Sequence, residues 1–360
     1  MKLCILGDNL TGLTLAKALV KKGIFVDLFY KKKITKIDTT RTIGISRSNT
    51  YYFNKEISNI KKILWPIKKI KIFTENSNNK EILKFEDQKD KLFSILQNQK
   101  IFNQLFIELK KNKFFKFKKY FKYKEFNNLS YDLIINCDIK NEITKKFFSK
   151  KIEKKYNSIA FTTIIDHKKL LFNNEAIQIF TNNGPIAFLP ISKEKTSIVY
   201  SARVKKNKNE LDINKIINRF NPKYKIKKIY KISKFELKSI NLREYYKDNI
   251  LAFGDLLHKL HPLAGQGFNM SIRDIKELLK IIDYKLKLGL PIDQSICLEF
   301  QNNTKSKNFI FSEGINFIYE YFNFENKIGT NLIDTTARLI GKNKMLNRYF
   351  KDIADMGLQN

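Results

Sequence analysis

The sequence predicts an α/β chain of two interleaved lobes with a helical C-terminus, and three observations carry that prediction. A βαβ unit opens the chain. Four β-rich runs without intervening helices lie between about Ser158 and Val204. A strand at Asn249–Phe253 then leads through a glycine-containing turn into a long helix. At 360 residues, with 43% hydrophobic side chains, the chain can build a sizeable core, and global disorder is excluded.

The opening unit is read from its breaks. Lys2–Leu6 (KLCIL) is a short apolar run stopped by Gly7. Over Leu13–Lys22, Leu15, Ala16, Leu19 and Val20 fall at helical spacing. Gly23 ends that helix, and Phe25–Phe29 (FVDLF) reads as the second strand. Gly7-Asp8-Asn9-Leu10-Thr11-Gly12 therefore stands where a Rossmann-like dinucleotide loop belongs. In such a loop the first Gly makes the tight turn and the last lets helix and strand pack closely. The helix N-terminus then offers N–H groups and a positive dipole end to a pyrophosphate. Gly7, Asn9, Thr11 and Gly12 are candidate cofactor contacts on this reading. Two features depart from it: Asn9 replaces the middle Gly, and Tyr30, followed by three Lys, stands where an acidic residue would meet a ribose hydroxyl. Asp27 lies inside the strand and is expected to point elsewhere. A purely structural βαβ turn would read the same way.

Further along, Lys69–Thr74 and Lys80–Phe85 look like strands around the polar turn Glu75–Asn79. Ile101–Lys110 reads as a helix and Tyr131–Asn136 as a buried strand. SIAFTTII, AIQIF, IAFLPI and TSIVYSARV then form consecutive strands, which implies an antiparallel sheet and a different lobe. Met270–Leu288 and most of Leu298–Leu358 read as helix.

Lys+Arg number 69 against 35 Asp+Glu, a net charge of +34. Such a balance points to an acidic partner, yet the lysines are spread along the whole chain, as coding bias and solvated faces would spread them. No aromatic-basic pattern or recognition helix supports nucleic-acid binding. Cys4, Cys137 and Cys297 lie far apart, which excludes a disulfide scaffold or zinc ribbon and fits a reducing compartment. His258 and His261 sit at i and i+3 without an acidic or Cys ligand beside them, so no metal site is expected. The apolar run Leu3–Leu6 stops too early for a signal peptide. No stretch approaches the roughly 18 apolar residues of a membrane span. A cytoplasmic protein is expected, with peripheral membrane contact left open.

The most informative stretch is GDLLHKLHPLAGQGFNM, Gly254–Met270, followed by Arg273-Asp274. Asp255 is a carboxylate at a strand end, able to accept from a sugar-chain hydroxyl. Pro262 rigidifies the next turn, and Gly265 and Gly267 let a flat ring approach the backbone. A helix starting near Gly267 or Phe268 aims its N-terminus at that ring. This block closely resembles GDAAH-x-x-x-P-x-x-GQG-x-N-x-x-x-x-D of the FAD-dependent aromatic monooxygenases. The wording HPLAGQG is similar to the ubiquinone-biosynthesis hydroxylases (UbiH/UbiF type). Other segments agree in order. Arg41–Ser46 (RTIGIS) resembles the family's R-x-x-A-L-S run, and Gln97-Asn98-Gln99 resembles E-N-R. Tyr131–Ile139 resembles D-L-V-V-G-A-D-G, with Asp138 at its acidic position. Ala176–Pro190 resembles A-x-x-x-F…GP-L-A-L-L-P, His167 resembles a family His upstream of it, and Ala354–Gly357 resembles the family's helical end.

The resemblance implies a class A flavin monooxygenase fold. A Rossmann-like FAD-binding domain (1–66, 91–155 and 234–300) would be interleaved with an antiparallel-sheet substrate domain (67–90 and 156–233), followed by C-terminal helices (301–360). It implies FAD as cofactor, NAD(P)H as reductant, and hydroxylation by O2 of the ring of a polyprenylated phenol in ubiquinone biosynthesis. The implied cofactor contacts beyond the N-terminal loop are Arg41, Asn98, Asp138, Asp255, Pro262, Ala264, Gly265, Gln266, Gly267, Phe268 and Asn269. Ile139 replaces a family Gly, Lys145 an Arg and Gln99 an Arg. A reductase of the same fold and a non-catalytic scaffold for quinone-pathway enzymes therefore stay open. No general base is assigned: His258 and His261 read as turn or packing residues, and His167 as an exposed polar residue ending a strand. A polyprenylated substrate would require access to a bilayer. Lys344–Leu358 spaces Met345, Leu346, Tyr349, Phe350, Ile353 and Ala354 as an amphipathic basic helix that suits either a membrane or the protein's own surface.

Overall fold

The computed structural model describes residues 1–30, 38–75, 81–86, 91–119, 131–203, 211–260, 266–328 and 355. Its opening strands are buried on both faces. β1 (Lys2–Leu6) leads through α1 (Leu10–Lys21) to β2 (Phe25–Tyr30), and β1 and β2 pair in parallel from Lys2↔Phe25 to Leu6↔Phe29. Leu3, Cys4, Ile5 and Leu6 are fully buried, the pattern of a parallel strand sandwiched between helices. β3 (Thr42–Ser46) enters α2 (Arg47–Tyr52), whose first turn is capped by the Ser46 side chain. β4 (Trp65–Ile67), β5 (Lys69–Thr74), β6 (Leu83–Glu86) and β7 (Phe93–Gln97) follow. Next come α3 (Asn98–Lys110), β8 (Phe115–Lys119), β9 (Leu133–Asn136) and α4 (Glu142–Phe147). α3 starts three residues before Ile101, because its first turn is polar and hides the apolar period.

The second half begins with β10 (Lys151–His167), a strand of 17 residues. β11 (Glu175–Thr181), β12 (Gly184–Pro190) and β13 (Lys195–Arg203) succeed it as an antiparallel meander. α5 (Ile213–Arg219), β14 (Ile226–Ile229), β15 (Ser233–Leu242), β16 (Tyr246–Lys247), β17 (Ile250–Ala252) and β18 (His258–Lys259) come next. The long helices α6 (Gly267–Lys287) and α7 (Gln294–Ile328) follow.

Two large sheets result. The first runs β16-β17-β9-β1-β2-β8, with parallel pairing from β17 to β8. The second runs β18-β15-β10-β13-β12-β11-β5-β6, with β14 on β10. A small sheet β3-β7-β4 lies apart from both. The main core lies under the parallel sheet, where Leu15, Leu19, Val26, Ile135, Ile272 and Ile275 pack together. A second core, with Ile186, Phe188, Ile198 and Tyr200, packs against Ile213 and Ile217 of α5. The lobes are interleaved, as expected, but the expected boundaries at 155/156 and 233/234 fall inside strands. β10 continues unbroken from Lys151, and β15 pairs with it from Lys151↔Leu242 to Thr162↔Ser233, across a bulge. Lys- and Glu-rich alternation in the first five residues of β10 masks its strand character in the sequence.

Candidate functional site

The carboxyl ends of three adjacent parallel strands, β1, β9 and β17, deliver Gly7, Asp138 and Asp255 to one crevice, the place where open α/β sheets bind ligands. Gly7 has φ +106°, and a Cβ there would lie 3.1 Å from both the Cβ and the amide nitrogen of Asp138. Gly12 packs α1 onto β1 so closely that a Cβ would meet the Gly7 carbonyl oxygen at 2.2 Å. Gly254, at φ +66°, touches Thr11: a Cβ would lie 2.8 Å from its Cγ2. The two glycine turns are thus packed on each other through Thr11, which is buried.

Asn9 has a defined job in this crevice. It is the N-cap of α1, its Oδ1 accepting from the Gly12 amide at 2.9 Å while its Nδ2 donates to the Cys137 carbonyl at 2.7 Å. The side chain that replaces the middle glycine therefore stitches β9 to the helix start and answers one of the N–H groups a pyrophosphate would use. The crevice is also acidic. Burial raises the Asp8 carboxyl, and the charge of Asp138 adds to the rise. The Asp138 carboxylate accepts from the Lys140 amide at 2.8 Å. Asp27 does point elsewhere: it is buried mid-strand, bonded by Tyr131 Oη at 2.7 Å and paired with Lys2 and Lys118.

The second half of the site is the start of α6. Gln266 is buried, and no described residue outside the helix start lies within 4 Å of where a Cβ on Gly267 would be. Phe268 sets its ring 6.3 Å from Phe53. The Asn269 side chain is engaged by protein. Its Oδ1 accepts from the Ser46 amide at 3.0 Å and from Asn49 Nδ2 at 3.1 Å, and its Nδ2 donates to the Gly44 carbonyl at 3.1 Å. Asn269 thereby clasps α6 to β3 and α2, so only its main chain is available to a ligand. Pro262, Ala264 and Gly265, with His261, lie outside the described residues. Arg41 is exposed, and its carbonyl accepts from the amide of Asn98, the first residue of α3, at 3.0 Å.

Three features of the site were not read from the sequence. Of the turn and packing readings, His258 takes the second: it is buried with Asp274, Nε2 to Oδ2 at 2.5 Å, and Asn308 of α7 donates to the other carboxylate oxygen at 3.0 Å. Both partners stand in the Gly254–Asp274 block, and the pair ties β18 to α6 across it. Asp355 caps α2, accepting from the Ser48 amide at 2.8 Å through Oδ1, while its carbonyl accepts from the Ser46 and Ser48 hydroxyls. The lobes meet through hydroxyls: Thr42 with Ser197 at 2.8 Å, and Thr40 with Ser233 at 3.2 Å. His167, expected to be exposed, is 1% exposed, because its ring bonds the Lys168 carbonyl and Thr196 Oγ1 and packs on Tyr224.

The parallel sheet crossed by an antiparallel one, with a glycine turn at the end of β1 and a second after β17, is the fold of the class A FAD-dependent monooxygenases. The chain superposes on p-nitrophenol 4-monooxygenase PnpA of Pseudomonas putida with a TM-score of 0.80 at 12% identity, over 99% of this chain and 98% of that one. It superposes on an HpxO variant of Klebsiella pneumoniae complexed with FAD with a TM-score of 0.77 at 11% identity, over 99% of each chain. Residues 145–287 match the FAD binding domain family. The sequence similarity lies with ubiquinone-biosynthesis monooxygenases. The chain is 28% identical over 152 residues to 3-demethoxyubiquinol 3-hydroxylase of Escherichia coli, 40% of this chain and 39% of that protein. It is 26% identical over 125 residues to the mitochondrial ubiquinone biosynthesis monooxygenase COQ6 of Schizosaccharomyces pombe, 34% of this chain and 26% of that one. The matches thus span less than half the length of these curated relatives.

The residues present fit FAD. The Gly7 turn and the Gly12 contact set the end of β1 against a helix N-terminus, and no described residue stands within 4 Å of a Cβ on Gly267 at the start of α6.

Proposed function

We propose that the protein is an FAD-dependent monooxygenase that hydroxylates the aromatic ring of a polyprenylated phenol in ubiquinone biosynthesis, using NAD(P)H and O2. The carrying observation is the convergence of Gly7, Asp138 and Asp255 at one crevice, with Gly267 at the start of α6 unobstructed by any described residue. In this reading, Gly7, Asn9, Thr11, Gly12 and Asp138 hold the pyrophosphate and its flanks, and Asp255 takes a ribityl hydroxyl. Arg41, Asn98 and the segment Pro262–Asn269 surround the ring. We assign 1–66, 91–155 and 234–300 to the FAD-binding domain, 67–90 and 156–233 to the substrate domain and 301–360 to the C-terminal helices, with β10 and β15 running across the borders at 155/156 and 233/234. Bound FAD supplies the redox chemistry, taking hydride from NAD(P)H and activating O2. The chain holds the ring, excludes water and stabilises charge: amides at the start of α6 favour negative charge on a reduced ring. The antiparallel sheet roofs the phenol. The substrate's tail brings the protein to a bilayer surface, although no helix among the described residues is long and apolar enough to cross one. The basic run Lys344–Leu358 lies outside the described residues.

Purified protein supplied with FAD is expected to turn yellow and to oxidise NAD(P)H faster when a prenylated phenol is added, with label from ¹⁸O2 entering the product. A colourless protein that binds no flavin defeats the proposal. One observation favours a second reading, a non-catalytic member of the fold: the Asn9 side chain already caps α1 inside an acidic crevice. Phenol-stimulated NAD(P)H oxidation removes that alternative.

A further inference from the structure

Leu171 and Phe172 are 75% and 74% exposed, the highest values among the described large apolar side chains. They are neighbours at the tip of the loop joining β10 to β11, so the apolar surface is one projection and not scattered residues. The loop below them is locked. Asn173 is buried, its Nδ2 donating to the Ser192 carbonyl at 2.7 Å and its Oδ1 accepting from Tyr224 Oη at 3.3 Å. The Trp65 indole donates to the Asn173 carbonyl at 2.6 Å, and the Asn174 carbonyl accepts from the Lys68 amide at 2.9 Å. On the other side stands buried His167, bonded to the Lys168 carbonyl and to Thr196. A tip anchored at both feet cannot fold its apolar pair back into the protein.

The rim of this projection is basic. Lys168 and Lys169 precede it, the Lys168 amide bonds the Lys225 carbonyl, and the Leu170 amide bonds the Lys193 carbonyl. All four lysines are exposed. The carboxylates nearest the base are already engaged, Asp166 by Lys195 and Glu175 by Lys71 and Lys223, so Glu194 is the exposed acidic group beside the rim. Two side chains are too small an area for a stable protein interface, which needs about 800 Å² on each partner. A leucine and a phenylalanine held rigidly above four lysines match an acyl boundary beneath anionic headgroups.

We propose that the Lys168–Phe172 tip is a membrane-docking site for an anionic bilayer, inserting Leu171 and Phe172 while Lys168, Lys169, Lys193 and Lys225 meet the headgroups. This site stands independently of the catalytic reading. Because the whole chain carries +34, binding to anionic vesicles alone decides nothing, and the deciding variant keeps the charge. The full-length protein is mixed with vesicles of phosphatidylcholine and phosphatidylglycerol, and with phosphatidylcholine vesicles, in a flotation assay. Leu171→Ser/Phe172→Ser is expected to melt like the native protein and to lose about tenfold or more of its partition to the anionic vesicles. Lys168→Gln/Lys169→Gln is expected to lose about fivefold per lysine. Trp65, the single tryptophan, bonded to the loop, is expected to shift its emission on vesicle addition in the native protein and not in the serine variant. Equal partition of native and serine proteins overturns the proposal in favour of bulk charge. No binding of the native protein overturns it outright. Self-association that the serine variant abolishes overturns it in favour of a second copy.

Discussion

His258 and Asp274 show how one residue's environment reaches the whole site. Burial works against a charged imidazole at position 258, but the charge and hydrogen bond of Asp274, helped by the charge of Asp255, outweigh it, so the pKa is raised above 6.5. A proton held more tightly in the folded than in the unfolded protein contributes stability that is complete below about pH 6.5. That contribution is lost as pH rises through the folded value. The urea midpoint of the native protein is therefore expected to fall as pH rises from 6.5. Asp274→Asn should lower stability by about 3 kcal/mol at pH 6 and flatten that slope, since the buried charge loses its counter-ion. Parallel pH slopes in the two proteins would refute the pairing. Asn9 belongs to the same scale. Asn9→Gly removes a cap and a strand tie, and is expected to cost under about 1 kcal/mol in urea unfolding while tightening FAD binding in a fluorescence titration. The proposed pyrophosphate contact at position 9 is main-chain, since the side chain is engaged by protein, so weaker FAD binding in that variant would mean that the Asn9 side-chain amide holds the cofactor.

At the level of elements, two glycines with similar sequence credentials do opposite work. Gly12 is a packing glycine: the ångströms between α1 and β1 leave no room for a methyl group against the Gly7 carbonyl. Gly12→Ala is expected to cost about 2 kcal/mol or more in urea unfolding, by prying α1 from the sheet. Gly267, at the start of α6, has no described residue within 4 Å of where its Cβ would be. Gly267→Val should stay within about 1 kcal/mol of native stability, as a first-turn helix position allows, yet raise the FAD dissociation constant about tenfold or more by filling the platform. Unchanged FAD affinity would show that the ring lies elsewhere. Both glycines were legible in the sequence as loop glycines. Which one serves packing and which one leaves a vacancy depended on the carbonyl that each helix meets.

For the molecule as a whole, the dominant long-range force is self-repulsion from a net charge of +34. Surface pairs such as Lys22–Asp283 and Lys69–Glu86 neutralise locally, but the acidic residues are too few to balance 69 cations. Screening should therefore stabilise the fold. The melting temperature is expected to rise as KCl goes from about 10 mM to about 0.3 M, where the screening length falls well below 10 Å. A falling melting temperature would show that attractive surface pairs outweigh the repulsion.

The local code was readable along the chain. Apolar runs with period 2 or 3.6, and glycines at their ends, located β1, α1, the four strands from β10 to β13, the loop at Gly7–Gly12, the strand end before Gly254 and the helix start at Gly267, because backbone period and turn chemistry depend on near neighbours. The partners of the buried polar groups were decided only by tertiary structure. Asn269 reaches Ser46 across 223 positions, Asp355 reaches Ser48 across 307, and His258 finds Asp274 and Asn308 only once β18, α6 and α7 are packed together. Pairing of groups far apart in the chain is set by how parallel crossovers stack the sheet, and no short window of sequence contains that information.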